Sequence, residues 1–182
     1  TLNLTGAQPA DPSDPRDLDA ARRIDGQFNR WFLDPVFLGA YPADVVDDIR
    51  AVDPEAVDAL EAAVQPGDLA VISTPIDALG VNYYHNEFVG GRVPEQAPPA
   101  DQAPTEREGA SPFPAADDVH WFERGLPRTG MGWEVQPEGL TDLLVRVATQ
   151  YADAAGTRLF VTENGAAYDD ELVVDDGERR VH

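Results

Sequence analysis

The chain has 182 residues, 42% hydrophobic and 26% charged, which is the composition of a folded globular protein. Its formal net charge of -21 repels phosphate backbones and anionic lipids and argues against a nucleic-acid or membrane-surface partner. The lack of cysteine excludes disulfides, thiolate metal sites and a cysteine nucleophile.

Membrane and metal signals are also missing from the sequence. No apolar run approaches the roughly 18 residues that span a bilayer, and the sequence does not begin with a signal peptide, so we expect a cytoplasmic protein. The three histidines, His85, His120 and His182, lack the spacing of metal ligands, and we assign them no role.

The first part of the chain predicts a strand and then a helix. Residues 2–4 have the pattern of a strand end, and residues 8–14 that of a polar, proline-containing loop. Asp14 is the expected N-cap of the helix, with Pro15 at its first position. Apolar residues then recur at helical spacing and predict one buried stripe, which ends at Pro35. The stripe consists of Ile24, Phe28, Trp31 and Phe32.

Strands and helices alternate along the rest of the chain. In order, the predicted segments are a helix from Asp53-Pro54 to Pro66-Gly67, β-rich runs at residues 69–73 and 78–84, a helix from Leu140 to Gly156, and a strand over residues 158–162. This alternation predicts a parallel α/β sheet, here an arc of a barrel.

A long loop insertion is predicted at about residues 90–118. This segment holds six prolines among scattered acids, and proline at that density removes the backbone donors that strands and helices need. Loops that follow barrel strands lie on the active face, so the segment could shape substrate entry. A solvated insertion without a role is the alternative.

Glu163 stands at the end of the last predicted strand. Asn164-Gly165 turns the backbone directly after it, which would put the carboxylate at the mouth of a sheet or barrel, where α/β enzymes keep their chemistry. Taken alone this is a weak signal, because a carboxylate at a strand end is more often a solvated loop residue or a cap.

Residues 161–165, Val-Thr-Glu-Asn-Gly, resemble the nucleophile motif of the family 1 glycoside hydrolases, the β-glucosidases and their relatives. Three further segments resemble the same family in the same order. They are residues 23–35 with Gly-Ala-Tyr-Pro at 39–42, residues 77–84, and residues 131–140. The resemblance covers nearly the whole chain except residues 90–118.

The resemblance implies that residues 1–182 are a partial (β/α)8 TIM barrel, roughly its βα units 5 to 7, because a complete barrel needs about 250 residues. The family's acid/base glutamate belongs to an Asn-Glu-Pro motif, whereas Asn86-Glu87 is followed here by Phe88. We therefore expect the missing barrel segments to be partners of this chain and the isolated chain to be inactive or very slow.

The resemblance also implies roles for five residues. Glu163 matches the nucleophile, Tyr84 the tyrosine that orients it, and Asn82 and Asn164 supporting polar groups. Trp133 matches a tryptophan that walls the aglycone side. The alternatives are a purely structural hydrogen-bonded pair for Asn82 and Tyr84, and a core tryptophan beside Met131 for Trp133.

Two functions remain open from the sequence. In the first, the chain is part of a retaining β-glycosidase that hydrolyses terminal β-D-glucosides or related oligosaccharides, as in cellulose degradation, through a glycosyl-enzyme on Glu163 and without a metal or other cofactor. In the second, it is an inactive fragment or a non-catalytic α/β module of the same ancestry.

Overall fold

The structure, a computed structural model, describes residues 1–91 and 111–170, together with the backbone of two strands at 172–175 and 178–181. The strands are β1 (Leu2–Asn3), β2 (Gly6–Pro9), β3 (Ala78–Asn82), β4 (Asn86–Gly90), β5 (His120–Trp121), β6 (Arg158–Glu163), β7 (Leu172–Asp175) and β8 (Glu178–Val181). The helices are α1 (Pro15–Asp25), α2 (Trp31–Leu38), α3 (Ala43–Val52), α4 (Pro54–Ala63), α5 (Asp68–Ile72), α6 (Pro137–Val147) and α7 (Asp153–Ala155). Two π-helical turns, Gly26–Arg30 and Ala148–Ala152, join α1 to α2 and α6 to α7.

A parallel three-stranded sheet in the order β1-β3-β6 positions the candidate site. Its carboxyl ends meet at one edge, where Asn3 pairs with Asn82 and Asn82 pairs with Glu163. A second sheet runs β2-β4-β5, with β2 and β4 parallel and β5 antiparallel to β4, and β7 and β8 form an antiparallel hairpin. The predicted parallel α/β arrangement is therefore confirmed.

The larger hydrophobic cluster lies between this sheet and α6. Alternate residues along β3 point to opposite faces, so Leu79, Val81 and Tyr83 pack against the helix residues Leu143 and Val147. All five side chains are buried. Gly80 and Asn82 consequently lie on the other face of β3, which is the face that carries the site.

A second cluster joins α1 to β4. Ala20 and Ile24 of α1 pack on Val89 of β4. Ala116 and Val119, which precede β5 in the sequence, complete the cluster. The two clusters together fix β3 and β4 against their helices.

Asn86 connects the two sheets with α6. The Tyr83 hydroxyl donates to Asn86 Oδ1 at 3.0 Å, and Asn86 Nδ2 donates to Gln136 Oε1 at 2.9 Å. Gly6 and Gly139 leave the space for this side chain, because a Cβ on either glycine would collide with it. The connection therefore depends on the absence of side chains at two distant positions.

The predicted helix boundaries are confirmed where they depend on local chemistry. The Asp14 side chain accepts the Arg16 amide and caps α1, with Pro15 in its first turn. Asp53 caps α4 in the same way. Gly156 ends α7 in the left-handed conformation, with φ of 68°.

The predicted stripe is confirmed at Ile24 and is wrong in its phase after that residue. Ile24, Asn29 and Leu33 are the fully buried residues, at spacings of five and four, whereas Phe32 is 49% exposed. The π-helical turn at Gly26–Arg30 inserts one extra residue into the helical repeat and rotates everything after it. A stripe drawn at α-helical spacing cannot follow that rotation.

The sequence predicted that the helix ends at Pro35, but Pro35 lies inside α2. Proline removes only its own amide donor, and its carbonyl still accepts the Gly39 amide at 3.2 Å. Gly39 ends the helix instead, in the left-handed conformation with φ of 70°.

The β-rich run at residues 69–73 is a third wrong prediction, because these residues lie in or next to the short helix α5. Four apolar residues, Leu69 to Ile72, are too few for periodicity to separate a strand from a helical turn. Gly67, with φ of 98°, reverses the chain, and the Asp68 carboxylate accepts the Gln65 amide at 2.8 Å.

The first residues of the two predicted loops, at residues 8–14 and about 90–118, belong to strands. Gln8 and Pro9 belong to β2 and pair with Phe88 and Val89 of β4, because a proline is tolerated at the end of a strand. β4 continues to Gly90, and residues 92–110 of the predicted insertion lie outside the described residues.

Within the described ranges, no helix is long and apolar enough to cross a membrane.

Candidate active site

Glu163 and Tyr84 meet at the carboxyl edge of the β1-β3-β6 sheet. The Tyr84 hydroxyl donates a hydrogen bond to Glu163 Oε2 at 2.5 Å. This bond to a carboxylate raises the pKa of the Tyr84 phenol. Both side chains are exposed, so the carboxylate is held in one orientation while it stays open to solvent.

A β-bulge aims Glu163 at Tyr84. Val81 of β3 pairs with Val161 of β6, yet the next β3 residue, Asn82, pairs with Glu163, so Thr162 is an extra residue in β6. If β6 kept Thr162 but had no bulge, strict alternation would place Glu163, two residues after Val161, on the helix-facing side with Val161. The bulge puts Thr162 and Glu163 on the same face, as bulges beside active sites commonly do.

Hydrogen bonds hold the bulge in place. Thr162 Oγ1 donates to Asn82 Oδ1 at 2.7 Å, and the Tyr83 amide donates to the Glu163 carbonyl at 3.0 Å. Gly80 provides room, because a Cβ there would lie 2.9 Å from Thr162 Oγ1. Asn82 thus supports the strand geometry below the carboxylate and bonds to Thr162.

Asn164 fixes the turn that follows the strand. Its Nδ2 donates to the carbonyl of Tyr83 at 2.8 Å, which ties the turn of β6 to the end of β3. The bond spans the two strands that carry Tyr84 and Glu163. Asn164 therefore restrains both residues through their backbones.

Trp133 lies beside Tyr84 and belongs to neither hydrophobic cluster. Its ring stacks on the His85 imidazole with centroids 4.6 Å apart and is tilted against the Tyr84 ring at 5.8 Å. The tryptophan is half-buried, and the neighbouring Met131 is 60% exposed. Trp133 is therefore a half-buried residue that contacts Tyr84, the residue that bonds to Glu163.

His85 and Thr162 contact the candidate site residues Trp133 and Asn82, and the sequence analysis did not identify either of them. Beside Trp133, His85 Nδ1 lies 3.7 Å from the Glu87 carboxylate, and burial raises the pKa of Glu87. The only sequence signal was adjacency, since His85 follows Tyr84 and Thr162 precedes Glu163. In the described part of the chain, no group of three acidic or histidine side chains could hold a metal ion.

Comparison with known proteins gives the family that the sequence motifs resemble. The family model described as Glycosyl hydrolase family 1 matches residues 1–181. The bifunctional β-D-glucosidase/β-D-fucosidase of Bifidobacterium breve is 38% identical over 167 residues, which cover 91% of this chain and 33% of that protein. β-Glucosidase A of Thermotoga maritima is 34% identical over 164 residues, which cover 89% of this chain and 29% of that protein.

Solved structures agree with the sequence relatives. The psychrophilic β-glucosidase of Micrococcus antarcticus superposes with a TM-score of 0.80 at 45% identity, over 94% of this chain and 35% of that one. A β-glucosidase from Exiguobacterium marinum gives a TM-score of 0.72 at 31% identity, over 98% of this chain and 34% of that one. The chain thus spans about a third of the length of the relatives it matches.

Proposed function

Because this chain belongs to glycosyl hydrolase family 1, we propose that it carries the nucleophile and the nucleophile's supporting residues for a retaining β-glycosidase that hydrolyses terminal β-D-glucosides. Its parallel sheet is an arc of the (β/α)8 barrel of these enzymes. In a barrel, the carboxyl ends of the strands form the active face, and Glu163 stands at such an end.

The observation that supports the proposal best is the bond between Tyr84 and Glu163. A phenol on one carboxylate oxygen fixes the rotation of the side chain, so the second oxygen has one direction of attack. The attacking group in such a reaction is the ionised carboxylate.

The proposed reaction has two steps. The Glu163 carboxylate forms a bond to the anomeric carbon as the bond to the leaving oxygen breaks, and a second carboxyl group protonates that oxygen. The same second group then takes a proton from water, which attacks the glycosyl-enzyme and releases Glu163. The sugar leaves with its original anomeric configuration.

The second carboxyl group has to lie about 5–5.5 Å from the first in retaining enzymes. Asn86-Glu87 does not match the family's Asn-Glu-Pro acid/base motif, because Phe88 follows it in place of the proline. We infer that the acid/base comes from another segment of the barrel. The stack of Trp133 on His85 would then line the aglycone side of the substrate.

The test uses 2,4-dinitrophenyl 2-deoxy-2-fluoro-β-D-glucoside with the chain alone and with the chain mixed with the complementary segments of the Micrococcus antarcticus β-glucosidase. Dinitrophenolate leaves without protonation, so glycosylation needs the nucleophile but no acid. The fluorine slows hydrolysis, so the glycosyl-enzyme accumulates. Peptide mapping should find the label on Glu163, and Glu163→Gln should abolish it, whereas Glu138→Gln, at the exposed start of α6, should not.

The outcomes separate the two functions. A label on another carboxylate would overturn the assignment of Glu163. Labelling in neither sample would favour a non-catalytic module of the same ancestry. With an ordinary aryl β-glucoside, the chain alone should turn over slowly or not at all, because loss of a proton donor costs about 10²–10⁴-fold.

A further inference from the structure

Glu134 ties together the loop that carries Trp133. Its Oε1 accepts the backbone amides of Arg124 at 2.9 Å and Leu126 at 3.0 Å, and its Oε2 accepts the Arg124 amide at 3.1 Å. Hydrogen bonds to a charged acceptor are stronger than those between neutral groups. One half-buried carboxylate thus fixes a stretch of chain eight to ten residues away.

The same loop is folded back on itself between these anchors. The Val135 amide donates to the Pro127 carbonyl at 2.8 Å, and the Thr129 amide donates to the Trp133 carbonyl at 2.9 Å. These bonds close a narrow hairpin with Gly132 at its tip in the left-handed conformation, φ of 79°. Glu134 lies at the base of the hairpin, next to Trp133.

From the loop, contacts lead directly to the nucleophile. Trp133 packs on Tyr84, and Tyr84 donates to Glu163. We propose that Glu134 is a positioning residue that, by binding the Arg124 and Leu126 amides, holds Trp133 against Tyr84 and so fixes the aglycone wall beside Glu163. The effect on turnover rests on the proposed glycosidase function, whereas the effect on Trp133 does not.

Three variants test the role of Glu134. Glu134→Ala removes both acceptors, and Glu134→Gln keeps one carbonyl oxygen for an amide. Glu123→Ala is the matched control, because Glu123 lies in the same loop and pairs with Arg128 through its side chain. It removes the same charge without touching the two amides.

The first measurement is hydrogen exchange of the 182-residue chain, read by fragmentation mass spectrometry at Arg124 and Leu126. Glu134→Ala should speed exchange of both amides at least tenfold, with the amides of β3 and β6 unchanged. Glu134→Gln should restore part of the protection, and Glu123→Ala should match the wild type.

The second measurement follows Trp133 itself. In chain labelled with 5-fluorotryptophan, Trp133→Phe assigns the ¹⁹F signal, which should move toward the solvent-exposed position in Glu134→Ala but not in Glu123→Ala. In the complemented barrel, Glu134→Ala should raise KM for an aryl glucoside by about threefold to tenfold, the value of one aromatic contact, and lower kcat less.

The results have separate consequences. An unmoved ¹⁹F signal or unchanged exchange at Arg124 and Leu126 in a folded Glu134→Ala chain would overturn the positioning role. If Glu134→Ala does not fold, the same readouts on Glu134→Gln decide, and a Gln variant identical to wild type in both would overturn it. Absence of turnover in the wild-type assembly would count against the glycosidase proposal and leave the exchange and ¹⁹F results to decide on Glu134.

Discussion

At the scale of single residues, one extra residue in a strand decides where the carboxylate points. Thr162 breaks the alternation of β6, so Glu163 shares a face with Tyr84. Asn82 and Asn164 stabilise that arrangement through Thr162 and through the Tyr83 carbonyl. Their role is to hold the two strand ends at a fixed register.

Tyr84→Phe should slow formation of the glycosyl-enzyme in the complemented barrel by about tenfold or more, because it removes the donor that orients the Glu163 carboxylate. Glu163→Gln should be far slower than Tyr84→Phe. Stopped-flow release of dinitrophenolate measures the step. Tyr168→Phe, which alters an exposed phenol other than the one that bonds to Glu163, is the control. Equal rates in wild type and Tyr84→Phe would contradict the orienting role.

At the scale of elements, the helix from α1 to α2 is organised by a polar residue at its π-helical turn. Asn29 is fully buried, donates to the Thr5 carbonyl at 2.7 Å and accepts the Thr5 amide at 3.1 Å. It therefore completes the backbone bonding of the segment between β1 and β2. The same turn sets which residues of α2 face the core.

Asn29→Ala should lower the free energy of unfolding by about 2–4 kcal/mol, because it leaves the buried amide and carbonyl of Thr5 without their partner. Gln27→Ala in the same turn removes only an exposed bond to Pro114 and should cost far less. Urea denaturation followed by circular dichroism compares the two. Equal losses of unfolding free energy in the two variants would show that the buried bonds between Asn29 and Thr5 do not account for the effect of Asn29→Ala.

An ion cluster between α1, the π-helical turn and α3 should make stability depend on acid. Arg30, and then Arg22, bind the Asp44 carboxylate and hold its pKa well below its usual range. Since the folded-state pKa is depressed, the contribution is complete above about pH 4, the ordinary range for aspartate, and is lost as the pH falls toward the folded-state value.

Asp44→Asn should therefore be less stable than wild type at pH 7 by about 1 kcal/mol or less, since Asp44 is partly exposed and its ion pairs are screened. The difference should shrink as the pH is lowered from about 4 to about 2. Urea midpoints of both proteins across this range measure it. A difference that does not depend on pH would contradict the assignment.

The elements that sequence predicted correctly are those set by local chemistry. Asp14 with Pro15, and Gly156, act within one turn of the chain and could be recognised without knowing the fold. The π-helical turn and the bulge at Thr162 could not, because each depends on what the segment packs or pairs with. The sequence predicted which residues belong to the candidate site. The direction of the Glu163 side chain toward Tyr84 followed only from the pairing of β3 with β6.

At the scale of the whole molecule, the sheet has an apolar strand in contact with solvent. Phe160 and Val161 of β6 are 50% and 46% exposed, on opposite faces of the strand. Exposed apolar strand residues favour association, whereas the net charge of -21 opposes it.

The purified chain should therefore self-associate with increasing concentration, and more strongly in high salt, because salt screens the repulsion between like-charged copies. Sedimentation velocity at low and high ionic strength measures this. Phe160→Ser should weaken the association, and Phe32→Ser, at an exposed position on α2, is the control. A monomer at every concentration and salt would show that the exposed strand does not drive contacts between copies.

The side chain of Asn86 also constrains how the sequence can diverge. It fills space that belongs to Gly6 and Gly139, which are 80 and 53 positions away along the chain. At Gly6, the three atoms nearest to an added Cβ all belong to Asn86, so Gly6→Ala has to follow a change to a smaller residue 86. At Gly139, an added Cβ would also collide with the Tyr83 hydroxyl, so Gly139→Ala requires changes at residues 83 and 86. These positions form an epistatic set in which the order of substitutions matters, and an intermediate that acquires Gly139→Ala while it keeps Asn86 and Tyr83 is a barrier that descendants of this sequence would have to avoid.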